Sequence, residues 1–330
     1  MAVTTRPAEE VTEQAQALHK KSIVIDGCSF FLRGHNDRVT AGGLTAINFT
    51  VPDVYADAPD AFRAIREYYE VVRRDGKVII ARTVADIERA KAEGKLAAIL
   101  GAQNSRFLGT ELVLVEMFAR LGVRVVQLTY NERNFAGDGW MEPNDAGLSF
   151  FGRALIKELA RWGIVLDLSH IGRRTIQEAI AASEGPVVVT HAGIQKFVDH
   201  GRTVTDDEMK KIAATGGVVG VNGVGLFLGT KPPSAELIVR NIDYIVQLVG
   251  AGHAGIGLDY MFKSSELDEP GRGGPEIWPR EWGYGRGTGF APPEVIPEIR
   301  AGLERLGYPA AAIQGVLGEN LLRVADAVWR

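Results

Sequence analysis

The chain has 330 residues, 46% hydrophobic and 24% charged, which is enough apolar material for a large core and too much for a disordered chain. A net charge of -4 gives no basic footprint for nucleic acid, and no apolar run approaches the roughly 20 residues of a membrane-spanning helix. With a single cysteine, Cys28, neither an intramolecular disulfide nor a cysteine-based zinc site can form within the chain. The expectation is a cytoplasmic protein whose partner is a small-molecule substrate, not nucleic acid or a membrane.

The first stretch, "AEEVTEQAQALHKK", is rich in Ala, Glu and Gln without the apolar centre of a secretory signal, and reads as a leading helix over 8–20. From Ser22 short β-branched runs alternate with amphipathic segments. The strand candidates are "SIVIDG", "LTAINFTV", "KVIIART", "LAAILGAQ", "VRVVQLTYN", "IVLDLSH", "PVVVTHA", "GVVGVN" and "AGIGLDY". Between most of them lie helical patterns such as "DAFRAIREYYEVVRR", "GRALIKELARWG" and "AELIVRNIDYIVQLV", with apolar residues recurring every three or four positions.

Strand and helix alternating over this length predict a parallel α/β sheet, either a closed (β/α)8 barrel or an open doubly wound sheet. No Gly-x-Gly-x-x-Gly follows an early strand and no phosphate-binding loop of Walker type is present, so the barrel is preferred. One strand candidate must then be a short extra piece, with "KVIIART" or its neighbour the first choice. Residues 261–291 are dense in Gly, Pro, Trp and Arg and read as a long loop on the active face, able to cap a site with Trp278, Trp282 and Tyr284. Helices over 292–329 close the outer ring, making residues 1–330 a single barrel domain.

Two histidines end strands, His170 in "IVLDLSH" and His191 in "VVVTHAG". The carboxyl ends of neighbouring parallel strands lie about 5 Å apart, so two imidazoles placed there form half a site for zinc or a similar divalent metal. By strand parity Leu166, Leu168 and His170 share the face opposite Asp167 and Ser169, with His170 free to point inward. Asp259 ends "GIGLDY" and can take a proton from water at the mouth; its bland alternative is a turn cap. Arg202, in "GRTVTDDEM", can hold a substrate carboxylate with its planar fork, although such an arginine is more often solvated. His19, His200 and His253 read as ordinary surface or loop residues.

The first strand poses a separate question. It runs into Asp26-Gly27 and then offers Cys28 and Phe30, while a possible ligand pair, His35-x-Asp37, comes seven residues later. "GHND" before "RVTAGG" reads better as the N-terminal cap of a short helix than as a displaced metal site. Cys28 is either a soft ligand or nucleophile, or a small buried apolar residue. Asp26 is expected to hold Cys28, a water or a backbone amide.

Taken together, "VIDG", "TYN", "GLSFFGRALIKELARWGIVLDLSH", "VVVTHA", "GRTVTDDEM", "GIGLDY" and "GENLLRVADAV" resemble the membrane dipeptidase family, also called renal dipeptidase or peptidase M19, of the amidohydrolase superfamily. The resemblance runs from about Ser22 to Val328. It implies a (β/α)8 barrel, a dipeptide substrate, a homodimer and two zinc ions bridged by a glutamate. It also implies that His170 and His191 are metal ligands, that Asp259 is the catalytic acid, and that Arg202 grips the substrate carboxylate. The positions that in the family carry His-x-Asp are here the degenerate Cys28 and Phe30, and the bridging glutamate position is Gln103.

The expected function is therefore dipeptidase-like hydrolysis of a dipeptide or other small carboxylate-bearing amide. The expected cofactor is one divalent metal, zinc by its donor types, with Gln103, Asn104, Tyr130 and Asn131 as further substrate-binding candidates. The alternatives are a silent or metal-free barrel that binds a small molecule, and a lyase or isomerase on the same fold.

Overall fold

The computed structural model describes residues 22–30, 36–230, 232–261, 279–284 and 289–330. The expected leading helix, His19, His35, Trp278 and most of the 261–291 loop lie outside the described residues. The strands are β1 (Ile25–Phe30), β2 (Ala46–Thr50), β3 (Val78–Ile80), β4 (Leu96–Ala102), β5 (Val123–Gln127), β6 (Val165–Asp167), β7 (Val188–Ile194), β8 (Thr203–Val204), β9 (Val218–Val221), β10 (Ala254–Ile256) and β11 (Tyr260–Met261). All pair in parallel, in the order β10-β9-β7-β6-β5-β4-β2-β1-β11. Since β10 and β11 are two pieces of one chain segment, pairing with β9 at one end and β1 at the other, the sheet closes into a barrel. The extra strand is indeed in "KVIIART": β3 pairs only with β4, off the closed path.

Two apolar layers explain the alternation along each strand. Ile25, Ala46, Ala97, Ile99, Val125, Val165, Val188 and Val218 meet inside the barrel. Their neighbours Val24, Ile47, Ala98, Leu100, Val126, Leu166, Val189 and Val219 join the larger core beneath the surrounding helices. Above the inner layer the interior is filled by backbone. A Cβ on Gly257 would lie 1.9 Å from the carbonyl oxygen of Thr190, and one on Gly220 2.1 Å from it. Only glycine at these positions lets β9 and β10 close on β7 where Thr190 and His191 sit.

The helical patterns form helices at Ala58–Asp75, Phe150–Arg161 and Ala235–Val249. A further helix, Val113–Arg120, is only eight residues long; it buries Val115, Phe118 and Ala119 and leaves Val113 and Met117 exposed. Asn36 caps the helix Asp37–Gly42 by accepting from Val39 N at 3.1 Å, and Asp37 is exposed in its first turn. Asn36 and Asp37 thus start a helix, as the sequence suggests for them. The C-terminal helix "AAIQGVLGENLLRVADAV" is broken rather than continuous. Ala310–Gln314 and Asn320–Val328 flank a kinked turn, because Gly318 passes so close to β1 that a Cβ would lie 2.5 Å from Ile23 O.

Candidate functional site

The carboxyl ends of β1, β4, β6 and β7 and the β10–β11 junction converge at the mouth. Among the described residues three non-glycine residues have left-handed backbone, Asn131 (φ 59°), His170 (φ 64°) and Asp259 (φ 56°), and all three are at this mouth. Such conformations cost on the order of 1–3 kcal/mol each and persist where the surroundings impose them. For His170 the turn has a direct consequence. Leu166 and Leu168 belong to the outer core, whereas Asp167 lies inside near Cys28 and Asp259. Strict alternation would send His170 outward, so the expected parity argument fails; the left-handed φ turns the ring inward.

His170 and His191 meet with their Nε2 atoms 3.0 Å apart. Their other nitrogens fix the tautomers. Asn131 Oδ1 accepts from the indole N–H of Trp140 at 2.6 Å and lies 2.7 Å from His170 Nδ1, which must therefore carry its hydrogen. Asp167 accepts from Ser169 N and Oγ and from Thr190 N and Oγ1, a set of four donors suited to an ionised carboxylate. Having given its proton to Asp167 at 2.6 Å, Thr190 Oγ1 can only accept from His191 Nδ1, 2.7 Å away. Both Nε2 lone pairs then point at each other, an arrangement stabilised by a cation. Burial, with Arg202 adding to it, holds both imidazoles well below their usual pKa and so in the neutral, metal-ligating form.

Across the mouth Cys28 Sγ is 3.5 Å from Asp259 Oδ1 and accepts from Gln103 Nε2 at 2.8 Å. The ligand atoms of Cys28, His191 and Asp259 all lie within 4.8 Å of one another. Donors around one tetrahedral zinc are about 3.3–3.6 Å apart; the Cys28–Asp259 spacing of 3.5 Å falls in that range, and the two histidine nitrogens, 3.0 Å apart, would have to part by a few tenths of an ångström to share an ion. Beneath them Asp26 Oδ1 accepts from Cys28 N at 3.2 Å and Leu258 N at 2.8 Å, tying β1 to the end of β10 at a bulge, the backbone role expected of it. Burial pushes the carboxyls of both Asp26 and Asp259 up to about 7, Arg202 pulling against this at Asp259.

Arg202 is 3% exposed and donates through one terminal nitrogen to His191 O at 3.1 Å. Its Nε is buried without a partner, and among the described residues no carboxylate pairs with it. A buried guanidinium in that state is a ready acceptor for an anion. The guanidinium lies over the Phe227 ring, 5.4 Å from its centroid, beside a group of aromatic rings. His200 is at the centre of that group, 4.8 Å from Trp140, 5.1 Å from Phe227, 5.8 Å from Trp282 and 6.2 Å from Tyr284. His200, expected as an ordinary surface or loop residue, is a half-buried loop residue packed among these rings. Its Nδ1 accepts from Arg202 N, and burial lowers its pKa to about 4.

Of the remaining candidates, Tyr130 stacks on His170 at 4.2 Å and Asn131 holds the same ring in place. Gln103 faces Cys28 and keeps a buried, unpartnered Oε1. Asn104 does not join the group. Its amide donates to Val54 O and accepts from Arg106 N and Asn134 Nδ2, so it ties loops together. Phe30 ends β1, paired with Met261, and has no ligating atom. Asp167, Thr190 and Trp140 went unnoticed as site residues; the first two stand inside the quoted "IVLDLSH" and "VVVTHA", but parity placed Asp167 on the wrong face.

The family model for membrane dipeptidase (peptidase family M19) matches residues 37–270. An amidohydrolase from Pseudomonas aeruginosa is 32% identical, with a TM-score of 0.85 over 96% of this chain and 99% of that one. The dipeptidase verJ of Clonostachys rogersoniana is 25% identical over 84% of this chain and 68% of its own length. A metallopeptidase from Rhodobacter sphaeroides, liganded with a phosphinate mimic of the dipeptide L-Ala-D-Ala, shares the fold at 22% identity and a TM-score of 0.76, covering 93% of this chain and 100% of that one. Barrel, mouth and sequence agree, and the chain belongs to the membrane dipeptidase family, peptidase family M19.

Proposed function

We propose that this chain is a metal-dependent hydrolase of dipeptides or other small amides that carry a free carboxylate, working with a reduced, mononuclear metal site at His170 and His191. The observation that carries the reading is the pair of Nε2 lone pairs aimed at each other across 3.0 Å. A divalent metal bound there would polarise the scissile carbonyl and lower the pKa of water. Arg202 anchors the substrate carboxylate through its uncommitted guanidinium edge, which fixes the amide relative to the histidines. Asp259, across from them, takes a proton from the attacking water and returns it to the leaving amine. Tyr130 and Asn131 keep His170 from rotating. The absence of imidazole or carboxylate side chains at Cys28, Phe30 and Gln103 supports one ion rather than two.

The test is metal content per chain by plasma mass spectrometry on chelator-free protein, beside His170→Ala and a panel of dipeptides. About one ion, lost in the variant together with hydrolysis, is expected. Two ions would restore a dinuclear site, and none would move the chain to the metal-free alternatives.

A further inference from the structure

A carboxylate held by Arg202 fixes more than its own position. In a dipeptide the terminal side chain branches from the carbon that bears the carboxylate, so it must touch whatever walls the Arg202 guanidinium. That wall is aromatic. Phe227 lies under the guanidinium, and His200 Nδ1 accepts from the backbone N–H of the same arginine. Trp140 and Trp282 flank His200. Tyr284 stands 6.2 Å from Phe227 and near enough to Arg202, Asp259 and Tyr130 to feel their charges, which places it at the mouth. We propose that Trp140, His200, Phe227, Trp282 and Tyr284 form a specificity wall for the side chain of the substrate's carboxylate-bearing residue, selecting large apolar and above all aromatic ones. The inference rests on the hydrolase reading above and names the substrate class within it.

Three observations separate this wall from ordinary core packing. Core rings such as Phe107 and Phe118 are sealed, whereas Trp282 is 42% exposed and Trp140, His200 and Tyr284 are only partly buried, so ring surface is left for a guest. Second, polar atoms of the wall are committed to the protein. The Trp140 indole N–H donates to Asn131 Oδ1, and His200, with Nδ1 taken by Arg202 N, donates from Nε2 to Trp282 O at 3.3 Å. What these rings offer a substrate is carbon. Third, the rings come from separate segments that follow β5, β7, β9 and β11, and they converge beside Arg202. Loops at the carboxyl ends of barrel strands are the parts that set substrate choice.

Trp140 also links the wall to the chemistry. The Asn131 oxygen that receives its N–H is the one that faces His170 Nδ1. A side chain resting on the wall therefore lies next to the group that orients a histidine of the candidate metal pair, and its packing is felt where the amide must be placed.

The experiment is steady-state hydrolysis of Ala-Gly, Ala-Asn, Ala-Leu and Ala-Phe by the metal-loaded full-length chain and by Trp282→Ala. These peptides share their amine and carboxylate and differ only in the side chain that meets the wall. From Ala-Gly to Ala-Phe, kcat/KM is expected to rise roughly 10–100-fold, the worth of burying one large apolar side chain. Ala-Asn, close to Ala-Leu in size, should stay near Ala-Gly. Trp282→Ala removes a partly exposed ring and keeps the main-chain oxygen that holds His200, so the Phe-to-Gly ratio should fall several-fold. A wild-type ratio near one, Ala-Asn matching Ala-Leu, or a ratio unmoved in Trp282→Ala each overturns the wall and leaves the hydrolase reading standing. Hydrolysis of none of the peptides overturns both.

Discussion

The two sides of the barrel mouth treat their polar atoms differently. On the β6–β7 side Asn131 and Thr190 occupy the nitrogens of His170 and His191 that do not face the centre, and Asp167 behind Thr190 receives four donors. On the β1–β4 side Gln103 Oε1 and Asp26 Oδ2 are buried without partners. The first side is preorganised down to the tautomer, which is what a metal ligand requires. The second carries Cys28 and Gln103, which the sequence resemblance reads as degenerate ligand positions.

The contrast breaks most visibly at Asp259, where the two sides meet. Asp259→Asn keeps the side chain's shape and removes the base. In steady-state hydrolysis kcat should fall by roughly 10²–10⁴-fold with metal content per chain unchanged. If metal is lost as well, Asp259 belongs to the ligand set and the division of labour between the sides is wrong.

Arg202 sharpens the same comparison from the substrate's end. Replacing it with Met removes the buried cation, and kcat/KM on a free dipeptide should drop roughly 10²-fold or more. The dipeptide amide, which has no carboxylate to anchor, should be a poor substrate for the wild type and lose little further in Arg202→Met. Equal losses on both substrates would mean that Arg202 shapes the barrel rather than the binding.

Thr190→Val tests the preorganised side directly. Without the hydroxyl, His191 Nδ1 loses its acceptor and the ring its tautomeric lock. Metal affinity should weaken by about 10–100-fold, read by competition with a chromogenic chelator, while circular dichroism stays unchanged. An affinity equal to wild type would show that the ordered β6–β7 network serves the fold alone.

Much of this was legible in the residues. Alternating runs announce the barrel, and histidines at the ends of "IVLDLSH" and "VVVTHA" mark the mouth, because strand ends and their spacing are local properties. What could not be read was set by geometry that runs against the local pattern. The left-handed turn at His170 inverted the parity argument that should have brought Asp167 inside. Asn104 stands next to Gln103 but turns away to cap a turn, and only the tertiary bonds to Val54 and Asn134 reveal it. His200 looked like a loop residue because its neighbours Trp140, Phe227 and Trp282 are far from it in sequence.

His200 supplies the smallest effect and the one that reaches past the metal. Its ring is wedged among aromatics beside Arg202, and burial lowers its pKa to about 4 from about 6.5 in the unfolded chain. In the folded state it therefore stays neutral while the unfolded chain takes up a proton. The stability contributed by the neutral ring is fully present above pH 6.5 and is lost as pH falls toward 4. Glutamine can still accept from Arg202 N but cannot be protonated, so His200→Gln should lower the melting temperature slightly at pH 7.5 and flatten its decline toward pH 4.5. Parallel melting curves for the two proteins across that range would show that the ring is solvated and that the aromatic group around Arg202 is looser than its distances indicate. A flatter curve in the variant would extend the ordered side of the mouth from the histidine pair outward to the wall against which substrate must pack.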